Sequence, residues 1–287
     1  MIDLHCHILP GFDDGAADLS ISIKMAKLLM ADGVSAVACT PHILPGLYPN
    51  SGPQIQEATR RLQQIFDQEG IRIQLVSGAD NHIVPDFVAE LRRGHLLPLA
   101  GSRYVLMEPP HHVAPPKLEE LFFMVLVAGY VPILTHPERL TWVKSQYPMV
   151  RRLARAGVWM QITAGSLTGI FGRNARYWAE RMLAEGLVHI LATDAHDESH
   201  RPPNLGEGFT CAAKLVGDVE AQHLVSTRPR GVLQNLEPSR LPPPLSSPER
   251  AETRDAAQEP GGVEEKRATL GGRADRVFPV RLRRLSE

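Results

Sequence analysis

The sequence predicts a parallel α/β fold, most simply a barrel, and three observations carry that prediction. Seven short apolar, β-branched runs recur along residues 1–237. Amphipathic stretches with helix start and stop residues separate most of them. A His, Asp or Glu stands at or just past the end of six of the seven runs. Strands alternating with helices build a parallel sheet, because a crossover must carry the chain back before the next parallel strand begins. In such folds the carboxyl ends of the strands converge on one face, where active sites form.

The strand-like runs are 2–4, 34–40, 73–77, 104–107, 131–135, 158–163 and 188–193. A first helix is expected over 19–31, with Asp18 as its N-cap and Gly33 just past its end. A second covers 53–69 and stops at Gly70. A third covers 116–128, opening on a proline suited to a first turn and stopping at Gly129. Two more are expected over 147–156, before Gly157, and over 175–185, between Asn174 and Gly186. No repeat of fixed length interrupts this order, so residues 1–237 read as one domain. From Pro238 to residue 287 the chain turns rich in Pro, Gly and mixed charge. Too little apolar surface remains there to offset the entropy of ordering, and a disordered tail is expected.

Composition narrows the function classes. Hydrophobic content of 43% and charged content of 22% suit a folded globule. A net charge of −1 supplies no broad field for nucleic acid or anionic membrane, so neither is an expected partner. Attraction for an anionic substrate must then be local. The apolar window 121–131 is too short to cross a bilayer, and the opening MIDLHCHILPG lacks the basic and apolar regions of a secretory leader. No membrane insertion is expected. Cys6, Cys39 and Cys211 form no CxxC pattern, which fits a reducing, cytoplasmic compartment.

The chemistry lies at the strand ends. The first run leads into His5 and His7, with Asp13 and Asp14 beyond. The second ends in Thr40-Pro41-His42, the third at Asp80 with His82 near it, and the fourth delivers Glu108. The fifth delivers His136, and the seventh Asp194 and His196. Alternate residues of a strand share a face, so His5 and His7 can reach one ion while Cys6 points away. Asp194 and His196 repeat that spacing. Nitrogen and oxygen ligands without thiolates suit zinc, manganese or iron(II), and about nine of them point to two or three ions. Clustered divalent ions activate water and neutralise a phosphoryl group. Arg139, three residues past His136, is placed to clamp phosphate, and Arg201 is a second candidate. An ion pair with Glu138 is the plain alternative for Arg139. Asp13 reads equally as a turn residue beside Gly15. His95, His111, His112, His189, His200 and His223 are assigned to structural roles.

These motifs carry a resemblance. The opening IDLHCHILPGFDDGA, TPH at 40–42, SGAD at 77–80, THPER at 135–139 and ATDAHD at 192–197 resemble the polymerase-and-histidinol-phosphatase (PHP) superfamily. Within it they resemble the bacterial tyrosine phosphatases of capsule and exopolysaccharide operons, the CpsB/YwqE type, from Met1 to about Glu237. The resemblance implies a distorted (β/α)7 barrel, three divalent ions with manganese the commonest, and hydrolysis of phosphotyrosine on a tyrosine autokinase. By motif it makes His5, His7, Asp14, His42, Asp80, Glu108, His136, Asp194 and His196 the ligands, with Arg139 on the phosphate. Iron, zinc or magnesium are alternative ions. Attack on phosphorus is then by activated water, with the catalytic roles on Arg139, Asp14 and His196. No CxxxxxR loop offers a cysteine nucleophile.

One departure is visible. The family usually has Glu where this chain has Asp80, and Asp shortens the reach by roughly 1.5 Å. His82 is not expected to compensate. Two rival readings follow: the same site serving a small molecule such as histidinol phosphate, or a phosphodiester; and a regulatory protein whose metal cluster Asp80 has weakened.

Overall fold

The computed structural model describes residues 1–245. Its strands are β1 Ile2–Cys6, β2 Ala36–Cys39, β3 His42–Ile43, β4 Gln74–Ser77, β5 Asp80–His82, β6 Tyr104–Glu108, β7 Val131–Thr135, β8 Trp159–Thr163 and β9 Ile190–Ala192. They form parallel ladders in the orders β1-β2-β4 and β3-β5-β6-β7-β8-β9. The two sheets are one barrel wall with a break in it. β2 runs into β3 across Thr40-Pro41, and β4 into β5 across Gly78-Ala79. Backbone bonds bridge the break, from Thr40 N to Cys6 O at 3.0 Å and from Asp80 N to Pro41 O at 3.2 Å. At Gly78 a Cβ would stand 2.7 Å from Leu99 Cδ2, so any side chain there would have to displace Leu99. The wall closes where Cys6 bridges Ala195 and Asp194 N donates to His5 O at 2.8 Å. Seven passes of chain thus make the distorted (β/α)7 barrel.

Alternation sorts the side chains. Leu4, Ala38, Tyr104, Leu106, Ile133, Trp159 and Ile190 fill the interior, while Val37, Val105, Leu134 and Leu191 pack outward under the helices. The pattern reverses in β1. Leu4 belongs to the inner cluster and Cys6 to the outer one, because the β1–β2 register shifts between Asp3 and Cys6. That shift turns His5 inward above Leu4.

The outer layer comprises helices α1 Leu19–Ala31, α2 Gly52–Gln68, α3 Phe87–Arg93, α4 Leu118–Val127, α5 Val143–Arg155, α6 Ala164–Thr168, α7 Gly172–Ala184, α8 Leu205–Val216, α9 Asp218–Gln222 and α10 Arg228–Leu233. Asp18 caps α1, its side chain accepting from Ile21 N at 3.0 Å. In α2, Ile55, Leu62 and Phe66 lie on one face and are buried, each side chain contributing about 1.5–3 kcal/mol. Helix α5 begins at Val143, four residues before its expected start, and carries Pro148 inside. No helix among the described residues is long and apolar enough to cross a membrane.

The boundary expected at Pro238 falls too early. Pro238–Arg240 form a 3-10 turn and Leu241 packs into the inner cluster beside Val232. Arg228, fully buried, needs this segment: its guanidinium donates to Pro242 O at 2.8 Å and Pro243 O at 2.9 Å. The tail expected to be disordered otherwise falls on residues 246–287, which lie outside the described residues.

Candidate metal centre

The first histidines are aimed before any ion is considered. His7 Nδ1 donates to Asp13 Oδ2 at 2.6 Å, and His5 Nδ1 donates to Gln161 Oε1 at 2.8 Å. His196 Nδ1 lies 3.0 Å from the Asp194 carbonyl. Each contact leaves Nε2 free to point into the barrel mouth, as in a metal-ligating histidine held by an outer acceptor. Asp13 also accepts from His42 N at 2.8 Å and Gly15 N at 2.9 Å. It is therefore both the turn residue and the support of two histidines. The turn folds tightly on β1: a Cβ on Gly15 would stand 2.3 Å from His7 O.

All nine residues proposed as ligands meet at this mouth. Among the described residues, His7, Asp14, His42 and His196 offer ligand atoms within 4.8 Å of one another, as do His5, His7 and Asp80. Two further groups share Glu108: one with His42 and His82, the other with His111 and His136. Asp194 Oδ1 joins them, 3.3 Å from His5 Nε2 and 3.2 Å from His7 Nε2. Asp80 Oδ2 lies 3.5 Å from both His5 Nε2 and His42 Nδ1. His136 (φ 32°) and Asp194 (φ 51°) adopt left-handed backbone that non-glycine residues rarely take, a strain typical of functional sites.

The decisive feature is unmet valence. Both oxygens of Asp80, Glu108 Oε2, Asp194 Oδ1, His42 Nδ1 and His196 Nε2 are buried without a hydrogen-bond partner. Orphaned buried carboxylate oxygens are costly, and several in one pocket require an agent that answers them. A hard or borderline divalent cation fits that donor set, with no thiolate among the converging groups.

Electrostatics says the same. Burial works to lower the His5 imidazole, but the Asp194 and Asp80 carboxylates hold it up at about 9. Burial is likewise outweighed at His42, which Glu108 and Asp80 raise to about 10. By contrast, burial lowers His196 to about 4, with the His7 charge adding to it. His136 is pushed well down by burial and by Arg139. Asp14 is held at about 2: burial opposes this, and its contact with His196 outweighs it. Asp14, Glu108 and Asp194 are held below the usual carboxylate range and draw positive charge, which divalent cations would supply in place of protons.

The family described as "Capsular polysaccharide synthesis, CpsB/CapC" matches residues 1–234. This chain belongs to the CpsB/CapC family. A relative, tyrosine-protein phosphatase YwqE of Bacillus subtilis (strain 168), is 33% identical over 243 residues, covering 85% of this chain and 95% of that protein. Tyrosine-protein phosphatase CpsB of Streptococcus pneumoniae is 26% identical over 244 residues, 82% of this chain and 99% of its own. Among solved structures, one from work on YwqE and CpsB as unique metal-dependent tyrosine phosphatases superposes with a TM-score of 0.79 at 32% identity. It covers 86% of this chain and all of the other.

In this CpsB/CapC chain the two arginines converge on Asp194. Arg139 donates to its Oδ2, and Arg201 Nη2 reaches the same oxygen at 2.6 Å. Both guanidiniums lie over the Phe171 ring, 4.2 Å and 5.8 Å from its centre. Glu138 is no partner of Arg139. It turns inward, accepting from Thr163 N at 2.9 Å and Ser166 Oγ at 2.7 Å, and so anchors the turn that presents the arginine. At the rim, Tyr48 stacks on His42, 5.6 Å between ring centres.

Two histidines outside the nine proposed ligands also stand at this mouth. His111, assigned to a structural role, stands with Nε2 3.3 Å from Glu108 Oε1. His82 stands with Nε2 2.5 Å from Glu108 Oε2. For His82 the signal was in the sequence: it lies two residues from Asp80, the spacing that paired His5 with His7. For His111, beyond Pro109-Pro110, no periodic signal exists.

Proposed function

We propose that this chain is a metal-dependent protein-tyrosine phosphatase of capsule or exopolysaccharide synthesis, acting in the cytoplasm on phosphotyrosines of a tyrosine autokinase. One observation carries the reading: buried, unpartnered carboxylate and imidazole atoms converge beside two arginines that share one carboxylate oxygen. Relatives named as tyrosine-protein phosphatases support the substrate class. The overlapping ligand groups support several ions, three with manganese first in this reading. When bound, such ions supply Lewis-acid chemistry, activating water and neutralising phosphoryl charge.

The protein's own groups do the rest. Arg139 and Arg201 clamp the phosphoryl oxygens, and each guanidinium offers the planar, paired donors that match them. The Phe171 ring lies against both guanidiniums and limits their motion, so little freedom is lost when the phosphate arrives. Asp194 accepts from the arginines in the free protein and fixes their approach. Asp14 and His196, 3.5 Å apart on the open side, orient the attacking water. Tyr48, stacked on His42 at the rim, offers a face for the substrate ring.

The test is hydrolysis of a phosphotyrosine peptide by manganese-loaded protein, with and without chelator, against histidinol phosphate and a dinucleotide. The expected result is preference for the peptide, loss on chelation and recovery with manganese. Turnover of histidinol phosphate without turnover of the peptide would overturn the substrate assignment.

A further inference from the structure

The nine ligands implied by family resemblance include neither His82 nor His111, yet the fold delivers both to Glu108. The sheet register pairs His82 directly with Glu108 across β5 and β6. Asn81, between Asp80 and His82, points the other way and is locked there. Its amide donates to Ala79 O, Leu97 O and Leu106 O at 3.0–3.1 Å, and its oxygen accepts from Leu97 N at 3.0 Å. With Asn81 fixed, alternation obliges Asp80 and His82 to face the centre. His111 is held as firmly. Its carbonyl accepts from Thr141 N and Thr141 Oγ1, each at 3.0 Å, and Trp142 Nε1 donates to Pro110 O at 2.9 Å.

Around Glu108 the imidazoles divide by oxygen. His82 Nε2 and His42 Nδ1 stand 2.5 Å and 3.2 Å from Oε2; His111 Nε2 and His136 Nε2 stand 3.3 Å and 3.5 Å from Oε1. Glu108 Oε2 is buried and makes no hydrogen bond, although His82 Nε2 is in contact with it. The nitrogen is in reach but is not aimed at the oxygen, so the imidazole lone pair is left for another partner.

We propose that His82 and His111 are metal ligands of this chain, one on each side of Glu108. They make this end of the centre rich in imidazole and biased toward zinc or iron(II) over manganese. Imidazole suits zinc and iron(II), whereas carboxylate and water suit manganese and magnesium. The inference rests on the reading of the mouth as a metal centre. It adds two residues to that centre and a preference among ions.

The test is metal binding by the full chain, independent of turnover. Zinc and manganese affinities and bound equivalents are measured by calorimetry and elemental analysis for the wild type, His82→Ala, His111→Ala and the double variant. Zinc affinity at one class of sites is expected to fall at least about tenfold in each single variant, more than manganese affinity falls, because even outer partners of a ligand are worth about that much. Cobalt-loaded wild type, which needs no variant to fold, should show hyperfine-shifted imidazole protons, and each single variant should lose one set. Unchanged zinc-to-manganese ratios with an unchanged cobalt spectrum would overturn the proposal while leaving the phosphatase reading in place. A wild type that binds no divalent ion would overturn both.

Discussion

At the amino end of the barrel strands, Arg228 is fully buried and its donors are met. Its guanidinium reaches Glu220 at 2.9 Å, Pro242 O at 2.8 Å, Pro243 O at 2.9 Å and His189 O at 3.3 Å. At the carboxyl end, Asp80, Glu108 and Asp194 are also buried, but both oxygens of Asp80 and one oxygen each of Glu108 and Asp194 are left open. One chain thus buries charge in two ways. The closed network belongs to the fold, since a buried ion pair must be answered within the protein. The open one is shaped for something the protein does not itself contain.

Breaking each end separately sharpens that contrast. His7→Ala removes an imidazole common to two ligand groups. It should abolish metal-dependent hydrolysis, by about three orders of magnitude or more in kcat, while a melting curve in chelator stays near that of the wild type. Arg228→Met should do the reverse. Leaving Glu220 buried and unpaired costs about 3–5 kcal/mol, read by denaturant unfolding, with kcat per folded molecule unchanged.

Smaller effects separate contact from support. Arg139→Lys keeps the charge but loses the paired donors, and kcat/KM on a phosphotyrosine peptide should drop about a hundredfold with metal content intact. Asp13→Asn leaves the turn but weakens the acceptor behind His7. Metal affinity should fall about 10- to 100-fold, read by calorimetry, and excess manganese should recover much of the rate.

A graded effect at the closed end is acid sensitivity. His189 is lowered to about 3 by burial and by Arg228. Its Nδ1 accepts from Met160 N at 3.2 Å, a bond that a protonated ring cannot keep. Because the unfolded chain takes the proton near 6.5 and the folded chain only near 3, stability is complete above 6.5 and falls as pH drops through that window. The slope is at most about 1.4 kcal/mol per pH unit. His189→Leu should flatten it in unfolding curves compared across pH.

How far the sequence revealed this depended on what kind of signal each element leaves. The seven runs and the capped helix α1 were legible because period and punctuation agree. The short helices α3, α6, α9 and α10 span too few turns to show a period, and α8 carries glycines that blur one. His5 and His7 were legible through alternation, although the inward turn of His5 depends on a register shift that only pairing with β2 reveals. His42, Glu108 and His136 gained meaning only from the shared strand end. His111 was not legible, since its position is set by Thr141 and Trp142, thirty residues away in sequence. The ordering of 238–243 was hidden for the same reason: a proline-rich segment folds there because a buried arginine takes its carbonyls.

The most direct measurement is anomalous scattering from crystals grown with manganese. Peaks at coordination distance from His5 Nε2, His7 Nε2, Glu108 and Asp194 Oδ1 are the predicted result, each orphaned atom acquiring an ion. Clean density at full manganese occupancy elsewhere in the crystal, with only water among those side chains, would contradict it.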